Sequence, residues 1–214
     1  MKRKAIKIGL GIFLACVLLA VLERIIQPGY WVKSASKILI FAAVIFSCGG
    51  CRDILGRKGL VGGVVLGGMI YGIVLGAFLL FRSFIDLGTI AQGLLDKEGV
   101  ARENFLWVAL YISIVNSFLE ELLFRGVAFL ELRKYIPERA AMVLSALAFA
   151  AYHVAMLSGW FTWWVYGLCL LGLFLGGVIF NLLDRRGSIL PSWMAHAGAN
   201  LAINTIGLMM YGMI

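Results

Sequence analysis

The segment Leu60–Phe81 reads LVGGVVLGGMIYGIVLGAFLLF, an apolar run without a single charged side chain. About 20 residues of α-helix cross the hydrocarbon core of a bilayer, so this run is long enough to span one. Hydrophobic residues fill 62% of the 214 positions and charged residues only 14%, whereas a soluble domain averages about 25% charged residues. The sequence therefore predicts an integral membrane protein.

Further apolar runs of similar length predict the fold class, which is an all-α, polytopic transmembrane helix bundle with about seven spans. A transmembrane β-barrel would instead show short segments of alternating polarity. The connection after the third span is expected to carry a short interfacial helix at Ile90–Leu95. The predicted spans are Ala5–Leu22, Lys37–Gly50, Leu60–Phe81, Asn104–Leu130, Ala140–Leu157, Phe161–Leu183 and Ile189–Met210.

The net charge of +8 could suggest a nucleic acid partner, but the distribution of the basic residues indicates membrane orientation instead. Counted from a cytoplasmic N-terminus, basic residues are in excess on the inner side, as the positive-inside rule expects. We therefore expect a cytoplasmic N-terminus, the lipid bilayer as a partner, and no nucleic acid. The inner set is Lys2, Arg3, Lys4, Lys7, Arg52, Arg57, Lys58, Arg133, Lys134, Arg139, Arg185 and Arg186, and the outer set is Arg24, Lys33, Lys37, Arg82, Lys97 and Arg102.

Glycines recur every four residues in the third span, in one row at 59, 63 and 67 and a second row at 68, 72 and 76. This spacing places each row on one helical face, where the absence of side chains lets another helix approach closely. We interpret the rows as helix packing within one chain rather than as a dimerisation site.

Ionisable side chains inside a bilayer cost at least about 2.5–3.5 kcal/mol on insertion scales, so each one needs a reason. In the fourth span, Glu121 and Arg125 stand at positions i and i+4, in the favourable order for a helical ion pair. Glu120 is rotated by about 100° from Glu121 on a helix and cannot easily share that pair. We therefore interpret Glu120 as the unpaired acid, and a desolvated carboxyl group suits proton transfer.

Both histidines of the chain lie within predicted membrane helices. His153 is in the fifth span and His196 in the seventh, and Asn200 follows His196 by one turn, so that both can point into one cavity. A rise of about 1.5 Å per residue places these residues and Glu120 at overlapping depths. The set predicts a functional polar site for hydrolysis, ion or proton transport, or ligand binding. The alternative for each residue is a helix–helix hydrogen bond.

Three motifs occur in order, each on its own predicted span: EExxxR at 120–125, FxxxH at 149–153 and HxxxN at 196–200. Together they resemble the CAAX prenyl protease 2 and bacteriocin-processing (CPBP, or Abi) family of intramembrane proteases. The resemblance covers roughly Phe105–Tyr211. It implies a CPBP-like catalytic core in residues 104–214, preceded by three N-terminal spans and an outer loop in residues 1–103, within a single membrane domain.

The resemblance implies an intramembrane endopeptidase that acts on a membrane-associated peptide or protein, with its site toward the cytoplasmic side of the membrane, the plasma membrane in a prokaryote. Water would attack the peptide bond directly. The implied roles are general base for Glu120, orientation or activation of water for His153, oxyanion stabilisation for His196 and Asn200, and support for Glu121, Arg125 and Phe149.

Family members have also been described as metalloproteases, so zinc is an open alternative. Glu120, His153 and His196 would be its ligands, with an open fourth position. The HExxH zinc helix is absent from this sequence, and we favour water activated by Glu and His without a metal. The other alternative is a non-enzymatic membrane protein of the same fold that acts in bacteriocin immunity, scaffolding or transport.

Overall fold

The computed structural model describes residues 2–48 and 54–214. Arg52 of the predicted inner set and Gly50, the predicted end of the second span, therefore lie outside the described residues. Over the described ranges the regular structure is entirely helical. The prediction of an all-α polytopic bundle is confirmed. Eight helices are described: α1 Lys2–Ile26, α2 Tyr30–Ser47, α3 Leu60–Phe81, α4 Leu87–Glu98, α5 Arg102–Lys134, α6 Glu138–Leu157, α7 Trp163–Asp184 and α8 Leu190–Met210.

Every predicted span corresponds to one of these helices, and the predicted interfacial helix corresponds to α4. In the described part of the chain, α1, α2, α3, α5, α6 and α7 are long and apolar enough to cross a membrane. Helix α8 has 21 residues, but His196, Asn200 and Asn204 reduce its hydropathy. The helices establish an integral membrane protein.

Helix α2 begins at Tyr30, seven residues before the predicted start of its span at Lys37. Lys33 and Lys37 therefore lie inside this helix, and both are buried. Lys33 Nζ lies 2.7 Å from Glu23 Oε2 in α1. Their assignment to the outer side stays a prediction, and the partner carboxylate explains how a lysine can be buried within a membrane helix.

Helix α5 departs from regular α-helical geometry. It is π-helical over Tyr111–Asn116 and again over Leu122–Glu131, with an α-helical stretch at Ser117–Glu121 between them. π-Helical turns use i→i+5 hydrogen bonds and occur frequently at functional sites. Glu120 and Glu121 occupy the end of this short α-helical stretch.

The chain divides into two compact units. The first combines Met1–Gly59 with Leu119–Leu190, and the second combines Leu60–Phe118 with Pro191–Ile214. Each unit therefore joins an N-terminal segment to a C-terminal one. The EExxxR and FxxxH motifs lie in the first unit and the HxxxN motif lies in the second.

In the second unit, one row of α3 glycines packs against α8. A β-carbon on Gly63 would lie 2.3 Å from the Pro191 carbonyl oxygen, and one on Gly67 would lie 2.6 Å from the Met194 carbonyl oxygen. Backbones this close require glycine, so this row serves helix packing within the chain. A β-carbon on the second row would meet nothing within 4 Å among the described residues, at Gly68, Gly72 and Gly76.

Candidate active site

Glu120 lies in the first unit, where its side chain is only 2% exposed. Lys37 Nζ from α2 lies 3.5 Å from its Oε1, and the Tyr152 hydroxyl from α6 donates to the same oxygen at 3.2 Å. The other carboxylate oxygen, Oε2, lies 3.9 Å from His153 Nε2. The interpretation of Glu120 as the unpaired acid is therefore wrong, because α2 supplies a cation that the local sequence around Glu120 does not reveal.

The backbone of α6 orients the His153 ring. His153 Nδ1 lies 2.8 Å from the carbonyl oxygen of Phe149, one turn earlier on the same helix. A carbonyl oxygen can only accept, so Nδ1 carries the hydrogen of this bond. When the ring is neutral, this arrangement turns the lone pair of Nε2 toward Glu120.

Aromatic rings hold the Tyr152 hydroxyl in place beside Glu120. The rings of Phe41 and Phe124 pack against the Tyr152 ring, with centroid separations of 5.9 and 5.6 Å. Lys37 Nζ lies 5.0 Å from the centroid of the same ring, within cation–π range. We call Glu120, Lys37, Tyr152 and His153 the Glu120 cluster. Its groups come from three helices, α2, α5 and α6.

A second buried set of charges surrounds Arg125. Arg125 Nε lies 3.1 Å from Glu121 Oε2, and neither side chain is exposed. The guanidinium lies 4.2 Å from the centroid of the Phe149 ring and 5.0 Å from that of Phe180. Asp184 is also buried and interacts electrostatically with Arg125. We call these five residues the Arg125 cluster.

The sequence predicted the Glu121–Arg125 pair and the support from Phe149, but it missed Asp184 and Phe180. Asp184 falls one residue beyond the predicted end of its span, where an acid is indistinguishable from a loop charge. Phe180 is one of many apolar residues in α7. No signal in the sequence separates it from the others.

A hydrogen-bond network joins the helices that carry both clusters. Ser145 Oγ on α6 lies 2.8 Å from the Phe124 carbonyl oxygen of α5 and 3.2 Å from Asn181 Oδ1 of α7, and these two acceptors share its one hydroxyl hydrogen. Asn181 Nδ2 donates in turn to the Met142 carbonyl oxygen at 3.0 Å. Because each donor is satisfied inside the bundle, the network fixes the three helices in register.

The two remaining candidate residues, His196 and Asn200, lie on α8 in the second unit. Asn200 Nδ2 donates to the Ile112 carbonyl oxygen at 3.2 Å, and Asn204 makes similar bonds to α5 one turn further along. Ile112 belongs to the π-helical stretch Tyr111–Asn116. Asn200 Nδ2 has a second N–H group for another acceptor. The convergence of this pair with the Glu120 cluster stays a prediction.

The donor set at Glu120 does not fit a zinc site. Within residues 2–48 and 54–214, no group of three or more His, Cys, Asp or Glu side chains is placed to hold a metal ion. Glu120 and His153 are adjacent, but the Lys37 ammonium group lies on the same carboxylate and would repel a second cation.

The fold and the Glu120 cluster define an integral membrane protein with a buried glutamate–histidine pair. Residues 102–202 match the family model described as type II CAAX prenyl endopeptidase Rce1-like. The matched segment contains all three motifs, and the match confirms the resemblance to the CPBP family that was inferred from them. No curated protein and no solved structure gives a significant match to the chain.

Proposed function

We propose that this protein is an intramembrane endopeptidase that hydrolyses a peptide bond near the membrane through water activated by Glu120 and His153. The observation that carries the proposal is the pairing of Glu120 Oε2 with His153 Nε2 at 3.9 Å in a buried site. A carboxylate or a neutral imidazole can accept a proton from water and return it to a leaving group. The family match of residues 102–202 supports the same reaction class.

The proposed reaction needs one water molecule and two proton transfers. The water oxygen forms a bond to the carbonyl carbon of the substrate while its proton moves to Glu120 or His153. The C–N bond then breaks, and the same proton is delivered to the leaving nitrogen. The bond from His153 Nδ1 to the Phe149 carbonyl oxygen fixes the ring during both transfers.

His196 and Asn200 are proposed to donate hydrogen bonds to the oxyanion that forms on the carbonyl oxygen. The second N–H group of Asn200 suits this role, because its first is satisfied by Ile112. Loss of one well-placed donor of this kind typically costs about 2.7–4 kcal/mol of transition-state stabilisation. The role requires these residues to reach the scissile bond together with Glu120.

The proposed substrate is the C-terminal segment of a membrane-anchored protein or peptide, with a prenylated CAAX sequence as the first candidate. The description of the matching family names prenyl endopeptidases, which favours this candidate over maturation of secreted peptides or protection against bacteriocins. The excess of basic residues assigned to one side supports a cytoplasmic N-terminus and a site toward the cytoplasm.

The direct test uses the full-length protein in liposomes with a farnesylated peptide that ends in a CAAX sequence. Mass spectrometry then identifies the bond that is cleaved. We expect Glu120→Gln to reduce turnover by about 10²- to 10⁴-fold, the usual contribution of a general base. Glu131→Gln is the matched control, because Glu131 lies on the same helix and its partners are Lys134 and Tyr135. A Glu120→Gln protein with wild-type turnover would refute the proposal.

The cellular test compares the C-termini of membrane proteins in cells that express the wild-type or the Glu120→Gln protein. A protease substrate accumulates uncleaved in the variant. An immunity, scaffolding or transport protein of the same fold would keep its phenotype with this near-isosteric change. An unprenylated peptide in the liposome assay separates a prenyl requirement from general endopeptidase activity.

A further inference from the structure

We propose that Lys37 is a positioning residue for Glu120, an inference that rests on the proposed function. Lys37 lies on α2, outside the family-matched segment 102–202 and outside all three motifs. Its Nζ nevertheless lies 3.5 Å from Oε1 of Glu120, 83 residues further along the chain. Helix α2 therefore contributes a charged group to a site whose other residues belong to the matched segment.

The geometry of the carboxylate indicates what Lys37 does. Lys37 Nζ and the Tyr152 hydroxyl both lie on Oε1, at 3.5 and 3.2 Å. Two donors on one oxygen oppose rotation of the carboxylate about its final torsion. Oε2 is thereby kept toward His153 Nε2, at 3.9 Å. A fixed carboxylate is pre-organised for the proton transfer, which requires alignment before the reaction begins.

The electrostatic surroundings support the same role. The side chains of Lys37 and Glu120 are only 10% and 2% exposed, so water screens their attraction weakly. Glu23 and Lys33 also act on Lys37 through their charges. Lys37 Nζ lies 3.5 Å from the Glu120 carboxylate, and the attraction stabilises the negative charge that the general base requires.

The chain offers a closely matched control one turn earlier on α2. Lys33 is as buried as Lys37, since each is 8% exposed. Its Nζ is paired with Glu23 Oε2 at 2.7 Å. Lys33→Met therefore removes a buried ammonium group from the same face of the same helix, one that is paired with Glu23.

The first experiment measures kcat and KM for the farnesylated peptide in liposomes. We expect Lys37→Met to lower kcat by roughly 10- to 100-fold, the size of effect that misalignment of a reacting group produces, with KM changed less than about twofold. Lys37→Arg should restore part of kcat because it retains a cation, and Lys33→Met should retain the wild-type kcat. Equal kcat values for Lys37→Met and Lys33→Met would overturn the inference.

The outcome also distinguishes the inference from the proposed function. If Glu120→Gln is inactive while Lys37→Met retains wild-type turnover, the protease proposal stands and the role of Lys37 is refuted. If Glu120→Gln itself is fully active, the proposed function fails, whatever Lys37 does.

A second measurement needs no substrate. Thermal unfolding in detergent is followed for Lys37→Met, Glu120→Gln and the double variant. Lys37→Met leaves Glu120 without this cation and should lower the melting temperature, whereas adding Glu120→Gln should recover part of the loss. Lys33→Met combined with Glu120→Gln should be additive. Additive behaviour of the Lys37 pair would refute coupling between Lys37 and Glu120.

Discussion

Two clusters of buried charge begin at adjacent residues of α5 and differ in how their charges are satisfied. Glu121 is neutralised within its own helix by Arg125, and the guanidinium lies against the rings of Phe149 and Phe180. Glu120 instead meets an ammonium group from α2 and a hydroxyl and an imidazole group from α6. The Arg125 cluster is therefore suited to stabilising the packed helices, and the Glu120 cluster is suited to proton exchange.

Phe149 belongs to both regions. Its ring covers the Arg125 guanidinium, while its carbonyl oxygen accepts from Nδ1 of His153. Phe149 therefore links the stability of the Arg125 cluster to the orientation of the His153 ring. This dual contact gives FxxxH a physical meaning that the spacing alone does not convey.

The largest effect is expected in the Glu120 cluster, where His153→Gln should reduce turnover. Glutamine cannot present an imidazole Nε2 opposite Glu120, so turnover should fall by about 10²- to 10⁴-fold. The liposome assay measures this loss, and thermal unfolding in detergent should show a much smaller change. Wild-type turnover in this variant would contradict the proposed pairing.

In the Arg125 cluster, Glu121→Gln should destabilise the folded protein. Loss of one partner from a buried ion pair costs about 3–5 kcal/mol, because the remaining charge is uncompensated. We expect a low yield of folded protein and a reduced melting temperature, with Glu120→Gln less affected. The double variant Glu121→Gln/Arg125→Met should regain stability. A normal melting temperature for Glu121→Gln would show that the two clusters do not differ in this way.

Phe149→Leu tests the residue shared by both clusters. It removes the ring over Arg125, and a desolvated cation–π contact contributes about 2 kcal/mol. The backbone carbonyl oxygen that orients His153 remains. The melting temperature should therefore decrease while turnover per folded molecule stays within a few-fold of wild type. A collapse of turnover in the folded fraction would mean that the ring, and not only the carbonyl, positions His153.

The smallest effect is expected at an exposed charge, Asp86, which caps α4. Its carboxylate accepts from the Thr89 hydroxyl at 2.7 Å and from the Thr89 amide at 3.0 Å. These bonds, the side-chain bond first, hold the pKa of Asp86 below its ordinary value. Because the folded-state pKa is lowered, the stabilisation is present above the ordinary carboxyl pKa and is lost as the pH falls through that of the folded state.

Hydrogen exchange of α4 measures this effect. Protection of the helix should decrease slightly below about pH 4 in the wild type. Asp86→Asn, which keeps a capping oxygen without a titrating charge, should show no such decrease. An identical acid response in both proteins would exclude Asp86 as its source.

The fold could be predicted because each membrane helix is specified by its own apolar stretch of sequence. An apolar run such as Leu60–Phe81 satisfies its own backbone hydrogen bonds and needs no knowledge of its neighbours. The Glu121–Arg125 pair was likewise accessible, because its members are four residues apart on one helix. The order and spacing of the three motifs indicated the family, and the motif positions gave the candidate site residues.

Contacts between distant helices could not be predicted in the same way. Lys37 stands near the end of an apolar run, where a lysine usually marks the interface, and its partner is 83 residues away. Asp184 also looks interfacial in the sequence. The π-helical stretches of α5 depend on tertiary packing and leave no periodic signature. In each case the missing information was the identity of the packing partner.

The pairing of Lys37 also constrains how the chain is made. Synthesis runs from the N-terminus, so Glu23 already exists when Lys33 emerges from the ribosome, whereas Glu120 does not exist when Lys37 does. Helix α2 therefore reaches the insertion machinery before the Glu120 carboxylate, 3.5 Å from Lys37 in the folded protein, has been made. Lateral entry of α2 should become more favourable once the fifth helix arrives, because a further carboxylate lowers the cost of an ammonium group in the membrane.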